Sequence, residues 1–299
     1  MTPLSSPDSQ VLKSDGLMVI VTLLAAFGWI FSKEALQGLP PHLFIGIRFS
    51  CGGLLLALVF WKRHTVLRRV PLGPVFISGG LFASALSLWV TGLYHTQQLG
   101  VGAFLTSLAI VLVPLIGQLF FQETVNRQSW MAIPLSLAGL ALLALDEPFT
   151  LESGQVYFLA AAFLFAFHFA MTSKVVKRVP AIPLTTCQLL CAGLLNLVLA
   201  GLAESVPETV EPHIWAWLAA SVVLATCLRF SLQFFAQSLA SSSHAAIILT
   251  LEPVFTTVLA FLWFAQTLSL WQGIGCGMIF TALLVARWQL IRPLLKLSV

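Results

Sequence analysis

Long apolar stretches, separated by short polar connections, run along almost the whole chain. A helix that crosses about 30 Å of hydrocarbon needs roughly 20 mostly apolar residues. Ten stretches reach that length and predict ten membrane-spanning helices, at 16–35, 42–61, 73–95, 101–121, 128–146, 154–174, 181–203, 213–235, 244–265 and 269–289. We expect residues 1–15 and 291–299 to form polar tails. We also expect the first apolar run to be retained, because no small-residue cleavage site follows it.

The composition is typical of a membrane protein and excludes several other classes. Of 299 residues, 59% are apolar and only 9% are charged, and the mean hydropathy is +0.96. A water-soluble domain typically carries about 25% charged residues. The deficit excludes an ordinary cytosolic globule, a disordered chain and a nucleic-acid-binding module. The five cysteines lie in apolar stretches without metal-ligand spacing, so we expect no metal, no cofactor and no disulfide framework.

The basic residues predict the orientation of the chain in the membrane. With the N-terminus in the cytoplasm, the cytoplasmic segments hold twelve lysines and arginines, whereas the outer segments hold only Lys33 together with seven acidic residues. An excess of lysine and arginine in short cytoplasmic loops is the usual determinant of topology. The sequence therefore predicts that both termini face the cytoplasm, and the net charge of +4 needs no anionic partner.

The chain also repeats itself after about 140 residues. The segment FSKEALQ can be laid over TSKVVKR, and GVGAFLTSLAIVLVP over SSHAAIILTLEPVF. Further along, Glu123-Thr124 lies opposite Gln266-Thr267. Each unit carries five spans, so the second copy must enter the membrane upside down. The predicted fold is an all-α integral membrane protein with ten transmembrane helices in two inverted five-helix repeats, at 16–147 and 152–290.

Several short motifs occur together in the second half of the chain. They are the stretch AQSLASSS, the sequence Leu-Glu-Pro in the ninth span, and a following helix that opens with Gln272 and Gly273. The first half carries FIGIRFSCGGLLLAL and AFLTSLAIVLVPL. On these features the chain resembles the EamA family of the drug/metabolite transporter superfamily over about residues 16–290. One departure is Gln266, at a position where the family often has an acidic residue.

The resemblance implies a transporter of the plasma (inner) membrane, because EamA-like proteins are typically exporters and exchangers of metabolites, amino acids or toxic compounds. We therefore expect a secondary-active transporter that exports or exchanges small organic solutes by alternating access. A passive channel or facilitator is the alternative. A membrane-embedded enzyme is less favoured, because the sequence contains no HExxH, no GxSxG and no P-loop for ATP. Energy must then come from an ion or solute gradient, with protons as one candidate, or from a partner protein.

Three charged residues are predicted to lie at membrane depth: Arg48, Arg229 and Glu252. A charged side chain inside a membrane span costs free energy, so each of these residues is a candidate functional residue. Arg229 and Glu252 lie at equal distances from the cytoplasmic ends of their spans, so we expect them to pair. Two interpretations remain open: a salt bridge that fixes the eighth and ninth spans, and a protonatable Glu252 whose pairing changes during transport. Arg48 either forms a positive outer vestibule with Lys33 or caps carbonyl groups of a neighbouring span.

Polar and aromatic residues near mid-span extend the candidate pathway. Pockets for amphiphilic solutes combine apolar walls with a few placed polar groups. On these grounds we add seven residues to the candidate pathway: Trp29, Trp89, Thr91, His168, Gln188, Gln233 and His244. The competing interpretation is that they only pack or form hydrogen bonds between helices. Pro114 and Pro253 are predicted hinges, because proline frees a backbone carbonyl within a span. Gly273 and Gly277 form a GxxxG match, which leaves a homodimer open.

Overall fold

A computed structural model describes residues 7–60, 72–95, 105–144, 153–239, 242–264 and 269–286 of the chain. Within those ranges the chain consists of helices joined by short connections. The predicted C-terminal tail and the junction between the two predicted repeats lie outside the described residues.

The helices lie on the predicted apolar stretches, with two corrections: the first helix begins at Pro7, within the predicted tail 1–15, and a turn at Thr250 divides the predicted ninth span 244–265. The helices are numbered in chain order. They are α1 (Pro7–Ala35), α2 (Pro41–Phe60), α3 (Leu72–Tyr94), α4 (Ala109–Phe121), α5 (Arg127–Ala144), α6 (Ser153–Val175), α7 (Ala181–Ala203), α8 (Pro212–Leu239), α9 (Ser242–Leu249), α10 (Leu251–Phe264) and α11 (Leu270–Ala286). By length and composition, α1, α2, α3, α6, α7 and α8 are apolar and long enough to cross a membrane. Large exposed side chains such as Leu58, Val198 and Phe280 suit a hydrocarbon surrounding.

The two ends of the helix bundle differ in charge. At one end the start of α1 meets the end of α8, where the Ser14 hydroxyl donates to the Ala236 carbonyl at 3.0 Å. At the other end the start of α2 meets the end of α7, where the His42 backbone N–H donates to Glu204 Oε1 at 2.7 Å. We call the first the basic end and the second the acidic end, after the charge that prevails there. The first holds Lys13, Arg127, Lys174, Lys177 and Arg178 beside Asp15 and Glu123, and the second holds Glu34, Glu204, Glu208 and Glu211 beside Lys33.

Glycines let several helices approach one another closely. α2 packs along α7, where a Cβ on Gly193 would meet the backbone nitrogen of Ser50. α5 packs along α11, where a Cβ on Gly139 would lie 2.7 Å from the Gly275 carbonyl oxygen. α3 packs against α6 and α7, α4 against α6 and α9, and α1 against α8, α9 and α10. Small residues at such contacts allow the close van der Waals packing that holds helices together in lipid.

Two helical stretches are interrupted at matching places in the predicted repeat. A turn at Leu108 precedes α4, and a turn at Thr250 separates α9 from α10. The backbone N–H of each residue donates to the carbonyl three positions earlier, at 3.2 Å in both cases. A proline follows each interruption, at Pro114 and Pro253, and a proline nitrogen cannot donate to a helical carbonyl.

We predict that Gly193→Ala lowers the melting temperature of the purified protein, because the added Cβ meets the backbone of Ser50 and forces α2 away from α7. Overpacking of this kind typically costs about 1–3 kcal/mol. The matched control is Gly201→Ala on the same helix, where an added Cβ has nothing within 4 Å. Equal melting temperatures for the two variants would contradict the close contact.

Candidate functional site

The carboxylate of Glu252 lies between a tryptophan and an arginine from two other helices. The Trp29 Nε1–H donates to Glu252 Oε1 at 3.1 Å, and Arg229 Nη2 lies 3.7 Å from Glu252 Oε2. The side chains of Arg229 and Glu252 are 16% and 23% exposed, so both are largely but not completely shielded from solvent. The structure therefore brings together three of the predicted pathway residues, from α1, α8 and α10.

The interruption at Thr250 helps to explain this placement. Glu252 lies in the first turn of α10, and Pro253 beside it has no N–H to donate to the Leu249 carbonyl. Glu252 comes ten residues after the first residue of α9, and Arg229 ten residues before the last residue of α8. At about 1.5 Å per helical residue, each lies about 15 Å from the basic end. A bilayer core is about 30 Å thick, so both groups lie near its middle.

An aromatic pair forms an apolar wall beside the carboxylate. The rings of Trp29 and Trp89 meet edge to face, with their centroids 5.2 Å apart. Trp89 packs in turn against Leu105 and Phe158. Because an indole carries one N–H on a large apolar ring, Trp29 offers both a hydrogen bond to Glu252 and a surface for an apolar group.

Arg229 directly follows a π-helical stretch, Val223–Leu228, that interrupts α8. Such stretches are rare and are frequently found at functional sites. The Arg229 guanidinium lies over the Phe230 ring at 4.1 Å, and its Nε has no hydrogen-bond partner among the described residues. One turn further on, Gln233 is buried, and its Oε1 also lacks a partner within that part of the chain. Both atoms therefore keep hydrogen-bonding capacity, one turn apart on α8.

Arg48 is buried and connects α1 to the π-helical stretch of α8. Its Nη1 donates to Ser32 Oγ at 2.9 Å. Its Nε donates to Thr226 Oγ1 at 2.7 Å, and its Nη2 donates to the Ala225 carbonyl at 3.2 Å. Two phenylalanine rings of α2 lie 5.7 and 5.5 Å from the guanidinium carbon. These contacts correspond to the interpretation in which Arg48 satisfies oxygen atoms of neighbouring spans.

His168 and Gln188 belong to a buried polar network between α6, α7 and α3. His168 Nε2 lies 2.9 Å from Gln188 Oε1, and the Gln188 amide donates to the hydroxyls of Ser78 and, at 3.3 Å, Thr172. The His168 ring stacks on the Phe82 ring with centroids 4.8 Å apart. Both predicted residues are thus bonded to partners on other elements, which favours a packing role for them.

Thr91 belongs to a second polar cluster, near the acidic end. Its hydroxyl donates to the Ser87 carbonyl at 2.7 Å and lies 3.4 Å from His42 Nε2. His42 Nδ1 lies 2.9 Å from Asn196 Oδ1. Glu204 at the end of α7 accepts from the first free N–H groups of α2, as a capping residue does. Sequence reasoning missed His42 and Glu204, because the helices that they join are far apart in the chain.

Three further predicted residues, Pro114, His244 and Pro253, lie on α4, α9 and α10. Pro114 lies within α4, and Pro253 lies in the first turn of α10. The side chain of His244 lies outside the described part of the structure, although α9 includes its backbone. Across the described ranges, no three histidine, cysteine, aspartate or glutamate residues converge to hold a metal ion.

Comparison with known proteins decides the family. The EamA-like transporter family matches this chain twice, over residues 12–145 and over residues 152–288. The chain belongs to the EamA-like transporter family. The resemblance drawn from the sequence is confirmed, and together with the long apolar helices it identifies a multi-pass membrane protein.

Relatives of this EamA-like protein are named as transporters. The uncharacterized transporter YdfC of Bacillus subtilis is 27% identical over 297 residues, covering 94% of each chain. ArnE of Pectobacterium atrosepticum, a probable 4-amino-4-deoxy-L-arabinose-phosphoundecaprenol flippase subunit, is 30% identical over 129 residues, which are 42% of this chain and 94% of that protein. A crystal structure of a protein 19% identical superposes with a TM-score of 0.80, covering 94% of this chain and 98% of that one, which shows a shared fold.

We predict that Arg48→Lys lowers the free energy of unfolding of this EamA-like protein by about 1–3 kcal/mol. The planar guanidinium of arginine donates to three oxygen atoms, and the single ammonium group of lysine cannot reach all three. Thermal unfolding in detergent is the measurement. The control is Arg178→Lys at an exposed site of the basic end, which we expect to leave the melting temperature unchanged. A fully stable Arg48→Lys variant would show that the three hydrogen bonds contribute nothing.

Proposed function

We propose that this EamA-like transporter is a secondary-active carrier that exports or exchanges small organic solutes by alternating access, with its pathway passing Glu252. One observation carries the proposal: the partly exposed Glu252 carboxylate is held at mid-depth between Trp29 and Arg229. Charged groups inside membrane spans are costly, and they are retained mainly along substrate and ion pathways.

The proposal includes ten spans in two inverted repeats, 16–147 and 152–290. In this repeat α1 corresponds to α6, α3 to α8, and α4 to α9 and α10 together. The α3–α6 contact then has its counterpart in the α8–α1 contact, and the α4–α6 contact has its counterpart in the contacts of α1 with α9 and α10. The same correspondence leaves the α2–α7 and α5–α11 pairs unchanged. The interruptions at Leu108 and Thr250 also correspond, 142 positions apart. These correspondences, and the separate family match of each half, support the repeat.

In the proposed cycle, Glu252 exchanges its partners. A solute with an acceptor group competes for Arg229, whereas a solute with a donor group competes for Glu252. Trp29 and Trp89 provide the apolar wall that an organic solute needs. Protonation of Glu252 removes its attraction for Arg229, so a proton taken up at one face and released at the other couples transport to the proton gradient. Pro114 and Pro253 are the hinges of this cycle, beside the interrupted helices.

The proposed location is the plasma membrane, with both termini in the cytoplasm. The excess of lysine and arginine at the basic end supports this orientation. Gly273 and Gly277 are exposed on α11, as a GxxxG contact between two copies of the chain requires. Lipid and a small solute are the partners that the proposal needs, and a homodimer is compatible with it.

We predict saturable transport with counterflow in proteoliposomes that contain the full-length chain. Candidate solutes come from a resistance screen of metabolites and toxicants in cells that overproduce the protein. A carrier exchanges labelled for unlabelled solute against a gradient, because one site faces each side in turn. Flux that does not saturate and shows no counterflow would instead identify a channel.

We also predict that Glu252→Gln reduces proton-driven flux of such a solute to the background, because an amide cannot carry the proton. Trp29→Phe keeps an aromatic ring but removes the N–H that donates to Glu252. We expect a flux about tenfold lower, because one hydrogen bond to a charged group is lost. The matched control is Glu208→Gln at an exposed position of the acidic end, with flux unchanged. Full proton-driven flux in Glu252→Gln would leave the Arg229–Glu252 contact with a structural role alone.

A further inference from the structure

Glu123 is a buried carboxylate at the basic end, in the connection between α4 and α5. Its Oε2 accepts a hydrogen bond from the Ser242 hydroxyl at the start of α9. Its Oε1 lies 3.8 Å from Lys174 Nζ at the end of α6. The Glu123 side chain is 6% exposed and Ser242 is fully buried, while Lys174 is 37% exposed. One carboxylate thus joins three parts of the chain that are far apart in sequence.

The local backbone turns Glu123 back against the bundle. α4 ends at Phe121, and the next residue, Gln122, has the left-handed conformation with φ 52°. The next N–H, from Glu123, donates to the Gly117 carbonyl at 2.9 Å. A Cβ on Gly117 would lie 3.2 Å from Glu123 Oε2, so the glycine leaves room for the carboxylate. A non-glycine residue at positive φ is uncommon, which marks this helix end as a specific arrangement.

Apolar side chains close the same end of the molecule between the Glu123 contact and Glu252. Met18, Ala170, Ala236 and Ala246, from α1, α6, α8 and α9, are buried in one cluster. Residues 245–248 of α9 are at most 3% exposed, against 23% for the Glu252 side chain. The described helices are therefore tightly packed at the basic end, and the Glu123 contact lies at the edge of this packing.

The second half of the sequence has no carboxylate at the position that aligns with Glu123. In the alignment of the two halves, Lys174 corresponds to Lys33, whereas Glu123 corresponds to Gln266. A glutamine amide is neutral and cannot form an ion pair. In a carrier built from two inverted halves the two ends are equivalent except where the halves differ in sequence. The carboxylate at this position therefore distinguishes the first half from the second.

We propose that Glu123, together with Ser242 and Lys174, is a latch that holds the basic end closed and biases the resting carrier toward the state open at the acidic end. The inference rests on the proposed function, because a latch acts only in a carrier whose ends open in turn. When the basic end opens, the α4–α5 connection separates from α6 and α9, and the carboxylate exchanges Ser242 and Lys174 for water. Closing the end again removes that water and restores both contacts.

The test measures distances at both ends of the full-length chain in lipid nanodiscs. The native cysteines are replaced, and spin labels are attached to cysteines at exposed positions 127 and 178 of the basic end, or 37 and 205 of the acidic end. Double electron–electron resonance then gives the populations of short and long distances for each pair. Glu123→Gln is expected to raise the ratio of open to closed basic ends by about tenfold, which corresponds to about 1.4 kcal/mol. The ratio of short to long distances between the acidic-end labels should rise by the same factor.

A second variant and a control keep the test informative if Glu123→Gln does not fold. Lys174→Met removes the more exposed partner, so we expect a shift in the same direction but of smaller size. Glu208→Gln, an identical substitution at an exposed position of the acidic end, should leave both distributions unchanged.

The outcomes separate the latch from the carrier itself. If the unmodified chain shows both populations but Glu123→Gln and Lys174→Met leave them unchanged, the latch is wrong and the proposed carrier stands. If the distance between the basic-end labels lengthens but the distance between the acidic-end labels does not shorten, the two ends do not open in turn. Both proposals then fail. A single fixed distance at each end in every variant has the same consequence.

Discussion

Hydrocarbon offers no hydrogen-bond partners, and this constraint determines how the centre of the molecule is built. A carboxylate in a membrane span must find donors on neighbouring helices. Glu252 finds them in Trp29 and Arg229, at 3.1 and 3.7 Å, and so connects α10 with α1 and α8. The second distance is longer than an ordinary hydrogen bond. The contact between α8 and α10 is therefore an ion pair without a short hydrogen bond.

Departures from regular helix geometry surround that carboxylate. The turn at Thr250 lies two residues before Glu252, and α10 begins at Leu251 with Pro253 in its first turn. The π-helical stretch of α8 ends directly before Arg229, and Arg48 donates to Thr226 and Ala225 within it. Irregular backbone inside a membrane is tolerated where other groups satisfy it or where it lines a cavity. Arg48 on α2 donates these hydrogen bonds. Its burial therefore has a structural reason, although it contacts no acidic group in the described residues.

The sequence predicts where the helices lie, because crossing hydrocarbon requires long apolar runs. It does not predict their ends or breaks, since the first helix begins at Pro7 and Thr250 interrupts the predicted ninth span. Counting residues from the span ends also predicts that Arg229 and Glu252 share one depth, and their atoms lie 3.7 Å apart. The partners of Arg48 were not predictable, since Ser32 and Thr226 are 16 and 178 positions away and no local pattern announces a π-helical stretch. Glu123 was missed for the same reason: a carboxylate in a loop shows its burial only when α6 and α9 are in place.

The central claim is that the Glu252 site is reached from each face of the membrane in turn. A single cysteine at position 256 tests it most directly, because the Thr256 hydroxyl donates to the Glu252 carbonyl at 2.9 Å and thus lies one turn from the carboxylate. The measurement is the rate of modification by a membrane-impermeant thiol reagent, added to one face or the other of oriented vesicles. The account predicts modification from both faces, without passage of the reagent across the membrane. Modification from neither face, or from the same single face under every condition, would contradict it.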